Sequence, residues 1–353
     1  MADSESNDYS KYGITDVPKF TTTTALGKVC FYFFYCCKYF CIFFQRKTVA
    51  GLFLKEWVFI IVSLINILTA IALTLFRMVD VLEHSPNSPD FAFTLLLLIN
   101  AGFSLFYVFH GVLRERVYEL YALMAAILVV IMYCILEYWV FNPQGQTTVK
   151  LIRVIIACIL APPNIILAYV VSRNFGYLEF RIVGASQFLQ RLYRQAAIFS
   201  CLLKFDLQAS CSIVILALKD GTTISLVETV SLAVGLPFSL FWCLLGWIAL
   251  RNEQKSLAVV FAVLGIMKPG YYIYKIVNEY IKLEDVTEPT QNTVVYSLFA
   301  AVAIGLLVWL MLMVELVFVY NDFGKGLKEN NRQVVSERSH LLASNRSTWR
   351  SQD

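Results

Sequence analysis

The chain has 353 residues, 58% of them hydrophobic and 15% charged, with a net charge of +4 and a mean hydropathy of +0.65. A soluble domain carries about 45–50% apolar and about 25% charged residues, and here the apolar excess is gathered into runs of about 20 residues, the length that crosses a hydrocarbon core of roughly 30 Å. This excludes a soluble globular protein and specifies an all-α polytopic membrane protein.

Residues 1–28 are polar, lack a charged-then-apolar leader with a cleavage site, and read as a disordered cytosolic arm. Residues 29–47 form a Cys- and aromatic-rich segment, too short for a comfortable span and interrupted by Lys38. Its Tyr and Phe content suits the headgroup boundary, so it reads as an interfacial segment rather than a ninth span. Cys30, Cys36, Cys37 and Cys41 are candidates for S-acylation, the alternative being an unmodified aromatic anchor. The other five of the nine cysteines lie within apolar runs, so no disulfide framework is expected.

Eight apolar runs follow within residues 48–320: Trp57–Phe76, Phe91–Leu113, Val117–Val140, Val149–Ser172, Gln195–Leu218, Ile224–Leu250, Ser256–Ile281 and Thr293–Tyr320. Their connections are short, which predicts a single bundle of about eight transmembrane helices. Lys and Arg crowd alternate connections (Lys38 to Lys55, Arg114 and Arg116, Arg173 to Arg194, Arg251 and Lys255), whereas the others are poorer in basic residues. By the positive-inside rule the basic connections and both termini are cytosolic. The longest basic connection, Arg173 to Arg194, has an amphipathic pattern that suits an anionic leaflet, or it is a solvated link that only fixes topology.

The most informative stretch is Lys204-Phe-Asp206-Leu-Gln208 in the fifth run, because ionisable groups at bilayer depth are costly and mark functional sites by default. Asp206 lies eleven residues in from Gln195, and Lys268 twelve in from Ser256, depths of roughly 17 and 18 Å at about 1.5 Å per residue. Opposite charges at one depth predict a pair, as a substrate or ion site or as a plain tie between helices. Lys204 is two residues from Asp206 and points elsewhere; it shares a face with Gln208 and is expected to reach toward the cytosol. Pro162-Pro163-Asn164 and Lys268-Pro269-Gly270 predict helix breaks near mid-membrane, where freed carbonyls and Asn164 would join the site.

A second set, Glu137, Glu228 and Glu279 with Arg153, is expected as an acidic rim at the non-cytosolic mouth. It would exchange protons in an acidic compartment or serve as a simple interfacial tie. Glu315 and His110 read as interface contacts. The three histidines are far apart, so no metal site is expected, and no nucleotide, cofactor or nucleophile motif is present in a credible context. An enzyme is the least supported class, and nothing calls for a cofactor or a nucleic-acid partner.

The tail, residues 321–353, reads as disordered and cytosolic. Glu337 followed by Leu341-Leu342, seventeen or more residues past Tyr320, matches an acidic dileucine signal for clathrin adaptor complexes. It implies an endosome or lysosome membrane, with the plasma membrane as the alternative. The sequence therefore predicts an endolysosomal transporter of a small solute or ion, proton-coupled, with a midplane site around Asp206 and Lys268. The alternatives are a receptor-like bundle coupled to cytosolic partners, or a structural or trafficking protein. No convincing repeat relates residues 57–172 to 195–320, which counts against transport.

Overall fold

A computed structural model of the chain describes residues 52–84, 90–136, 138, 148–175, 186–216, 226–283 and 289–324. The aromatic Cys-rich segment with Cys30, Cys36, Cys37 and Cys41, the residue Glu137, and the tail with Glu337, Leu341 and Leu342 lie outside them. So do the side chains of Arg153 and Glu228.

Almost all described residues are helical and none is in a strand, as expected where no water is available to satisfy free backbone groups. The helices are α1 (Leu54–His84), α2 (Asp90–Leu113), α3 (Val117–Leu136), α4 (Thr148–Arg173), α5 (Gln187–Leu216), α6 (Leu226–Asn252), α7 (Lys255–Gly265), α8 (Met267–Leu283) and α9 (Pro289–Asp322). Taking α7 and α8 as one span, seven among the described residues are long and apolar enough to cross a bilayer. The eighth, α3, has a shorter apolar stretch, Val117–Met132. Each coincides with a predicted apolar run, and α5 starts earlier: its first two turns take in Leu192 and Tyr193, which are buried, with Arg116 over the Tyr193 ring at 5.2 Å. This part of the basic connection therefore continues a spanning helix instead of lying in the membrane plane.

Two groups of helices close on themselves. In the first, α1 packs on α2, α2 on α3, α3 on α4 and α4 back on α1; in the second, α5 packs on α6, α6 on α7, α8 on α9 and α9 back on α5. The first has a core of Phe59, Tyr107, Val112, Leu120 and Val171; the second has one of Phe199, Trp242, Phe261, Leu312 and Phe323. Phe93 and Leu96 of α2 also pack into a third cluster with Ile213, Tyr272 and Leu298. Of the seven spans, α5 alone has more than half of its apolar stretch buried (56%, against 22–33%), which makes it the central helix.

The two groups share a turn that the sequence comparison of the two halves did not show. Between α2 and α3, Glu115 adopts φ 50°, and the Arg116 N–H donates to the Gly111 carbonyl at 2.8 Å. Between α6 and α7, Glu253 adopts φ 50°, and the Gln254 N–H donates to the Ala249 carbonyl at 3.3 Å. A positive φ is uncommon for a residue with a side chain, so its recurrence at the same place in both groups is informative. Each group also ends alike, in Asn174-Phe175-Gly176 and Asp322-Phe323-Gly324. Phe175 packs on the first core and Phe323 belongs to the second. In the second group the Gly324 N–H donates to the Glu253 carboxylate at 3.1 Å, tying the turn to the end of α9.

The predicted break in the seventh span is shifted and shallow. It falls at Ile266, which keeps helical angles (φ −65°, ψ −26°), and the helix resumes through Pro269 and Gly270. Pro269 has no N–H for the Gly265 carbonyl, and the Trp309 indole N–H takes that carbonyl at 2.9 Å. A second indole, Trp242, donates to the Phe261 carbonyl at 3.1 Å. Trp309→Phe should leave a buried carbonyl unpaired and lower stability by about 1–3 kcal/mol, read as a drop in the melting temperature of the detergent-solubilised protein. Close packing of α6 on α7 makes a further prediction. A Cβ on Gly246 would lie 2.5 Å from Phe261 Cε2 and 3.0 Å from Leu203 Cδ1. Phe261 is fully buried and stacked on Trp242, so Gly246→Ala should cost about 1–3 kcal/mol by overpacking, checked by the same melt.

The fourth span is not broken. α4 runs continuously from Thr148 to Arg173 through Pro162 and Pro163, whose rings are exposed on the outer surface. The rings point away from the bundle, so the loss of two backbone donors is absorbed within the helix.

Candidate functional site

The polar groups of α5 face two ways. Lys204 and Asp206 are two residues apart, a step of about 200° around a helix, so they reach opposite neighbours. Asp206 meets Lys268 of α8 in a buried ion pair, the side chains 1% and 4% exposed. The Lys268 ammonium also donates to Ser210 Oγ at 3.0 Å, and that hydroxyl shares a 3.0 Å hydrogen bond with Tyr272. The ammonium lies 4.0 Å from the centroid of the Trp242 ring, a cation–π contact in a dry setting. One Asp206 oxygen, Oδ1, is buried without a hydrogen-bond partner.

On its other side α5 meets the first group. Lys204 reaches toward the basic end, as expected, but stops inside the protein at Glu119 of α3; the two side chains are 6% and 3% exposed. Glu119 also contacts His110 Nδ1 from α2, and the Lys204 ammonium lies 5.6 Å from the Phe106 ring centroid. Farther along, Gln208 donates from Nε2 to Asn100 Oδ1 at 2.6 Å. Lys204 and Gln208 thus share one face, as the sequence predicts.

Asn164 is not part of the Asp206–Lys268 arrangement. It accepts a 2.7 Å hydrogen bond from Ser63 of α1 and lines a cavity of about 140 Å³ inside the first group, with Asn66, Asn100 and Ser104. The expectation that helix breaks and Asn164 would surround one midplane site is corrected on both counts. α4 is unbroken and packs on α1 and α3, and the carbonyl freed by Pro269 is taken by Trp309. Of the acidic rim, Glu279 is described, and it is buried and paired with Lys275 one turn away at 3.7 Å.

Glu119 was not among the residues singled out in the sequence. It lies three residues past Arg116, in the first turn of the predicted run Val117–Val140, where a carboxylate is ordinary at a helix start, and the helix carries it inward to Lys204. Ser210, Tyr272 and Trp242 were also missed, because a hydroxyl or an indole in an apolar run carries no signal until its neighbour is known.

These two groups and their boundaries coincide with a comparison against known families. The chain belongs to the DUF7789 family. The model of this domain of unknown function matches residues 43–173 and 183–318, so the DUF7789 segments fall one on each helix group. No curated protein and no solved structure shows significant similarity to the chain.

Proposed function

We propose that this multi-pass membrane protein is a transporter of a small solute or ion in endosome and lysosome membranes, coupled to protons, with its site on α5 around Asp206 and Lys268. The observation that carries this reading is the buried pair at matched depth, in which one carboxylate oxygen remains an unused acceptor. An ionisable pair far from water is expensive unless it is used or fully paired, and Asp206 Oδ1 offers a place for a proton or a cation. The recurrence of one turn in two four-span groups supports the same reading, since transporter folds are commonly built from repeats. The address rests on Glu337, Leu341 and Leu342, with clathrin adaptor complexes as the cytosolic partner. An aqueous route to the pair would have to open by movement of α8 against α5.

The test is to place the tagged protein against lysosomal markers and to measure lysosomal pH and metabolite content with and without it. A pH or single-metabolite change that is lost in Asp206→Asn at matched abundance is the expected result. Correct location with unchanged content removes the transport reading and leaves the receptor-like one. Changing Leu341 and Leu342 together to Ala should move the protein to the cell surface, and unchanged puncta would remove the address.

A further inference from the structure

A second cavity, of about 410 Å³, lies between the two helix groups, bounded by α2, α3, α5 and α9. It is a different space from the Asp206–Lys268 site, which faces α8. Among its described lining residues there is no Asp, Glu, Lys or Arg. Leu128, Val129 and Met132 of α3 and Tyr296 of α9 line it and are 52%, 43%, 56% and 47% exposed, so its mouth opens sideways on a surface that in a membrane faces acyl chains.

Two polar atoms in this apolar space have no partner: Gln208 Oε1 and Ser297 Oγ, on residues 5% and 7% exposed. The orientation of Gln208 is fixed by its neighbour. Asn100 Nδ2 donates to the Leu96 carbonyl at 2.9 Å, so Asn100 presents Oδ1 to Gln208 Nε2, and Gln208 is left with Oε1 as an acceptor. Buried polar groups are seldom left unpaired without reason, and two of them lining one cavity ask for a ligand.

We infer that this cavity is a lateral binding site for an uncharged, compact membrane lipid bearing a hydroxyl group, of the sterol type. The described lining supplies no charge for a phosphate or an amine. The hydroxyl would donate to Gln208 Oε1 or exchange a hydrogen bond with Ser297 Oγ. Along α5 the lining runs from Phe205 to Leu216, about 17 Å at 1.5 Å per residue, long enough for one rigid apolar body. The volume falls at the lower end of the roughly 300–1,000 Å³ range of small-molecule sites, which suits one such body better than a whole two-chain lipid.

The test uses the full-length protein in vesicles of neutral phospholipid containing a photoreactive sterol, with labelled peptides mapped by mass spectrometry. Label on α3 between Leu128 and Met132 or on α9 between Tyr296 and Ile304, competed by excess unlabelled sterol, is the expected result. Ala300→Phe, at the mouth, should abolish labelling. Ser297→Ala removes no hydrogen bond seen in the protein alone and should weaken labelling roughly fivefold, about one hydrogen bond's worth. Size-exclusion profiles of both variants should match the wild type. Label elsewhere, label insensitive to Ser297→Ala and Ala300→Phe in protein of unchanged profile, or competition by diacylglycerol or charged phospholipid but not by sterol would each overturn the inference.

Discussion

Asp206→Asn should lower the stability of the purified protein by about 3–5 kcal/mol, the cost of leaving a buried charge without its partner. The Lys268 ammonium would keep Ser210 Oγ and the Trp242 face, neither of which neutralises it. Replacing both charges, as Asp206→Asn with Lys268→Met, should recover most of the loss, because an apolar pair of similar size in a dry interior is often neutral or better. A thermal melt in detergent of the wild type, both single variants and the double variant checks this as a double-mutant cycle. The same four proteins separate two meanings of the pair. If it is only a tie, the double variant is both stable and active; if it is the transport site, the double variant is stable and inactive. A stable Asp206→Asn single variant would show that Lys268 is not held charged by Asp206.

Glu119→Gln should be similarly damaging, at about 3–5 kcal/mol, and should loosen the junction between the two helix groups. Glu119 meets the Lys204 ammonium in a buried ion pair and also holds His110. Removing the carboxylate takes away the anion that meets the buried Lys204 ammonium. Lys204→Met should be milder, because Glu119 keeps its contact with His110 Nδ1 and no buried ammonium is left behind. The prediction is thus an order as well as a size: Glu119→Gln loses more than Lys204→Met, and Lys204→Met with His110→Phe loses more than Lys204→Met alone. Equal losses for the first two would remove Glu119 from the centre of this arrangement. Melting curves with limited proteolysis at the 174–186 connection would measure both.

Much of the fold was readable because a bilayer leaves the chain few options. Apolar runs of spanning length had to become helices, and each did. The Asp206–Lys268 pair was readable from depth alone, since two opposite charges at one level on different helices have few alternatives in hydrocarbon. Helix rotation was harder to read. It separated Lys204 from Asp206 correctly, but the partner of Lys204 lay in the first turn of α3, where a carboxylate is common and carries no signal by itself. Proline was over-read: the rings of Pro162 and Pro163 turn outward and α4 continues, and the gap made by Pro269 is closed by the Trp309 indole on the Gly265 carbonyl, a contact between residues 44 positions apart. The recurrence of the Glu115 and Glu253 turn was hidden because it is carried by backbone angles at single positions, with different side chains around them.

The placement of α5 has a mechanical consequence. Three polar ties described between the two groups all start on this helix: Cys201 to the Tyr118 carbonyl at 3.1 Å, Lys204 to Glu119, and Gln208 to Asn100. The pair to α8 starts there as well. One rigid rod therefore carries a cation to one side and an anion to the other, and it cannot turn about its own axis without straining both. A turn of α5 that parted Asp206 from Lys268 would also have to disturb the Lys204–Glu119 contact, so the two halves of the molecule are tied to one axle.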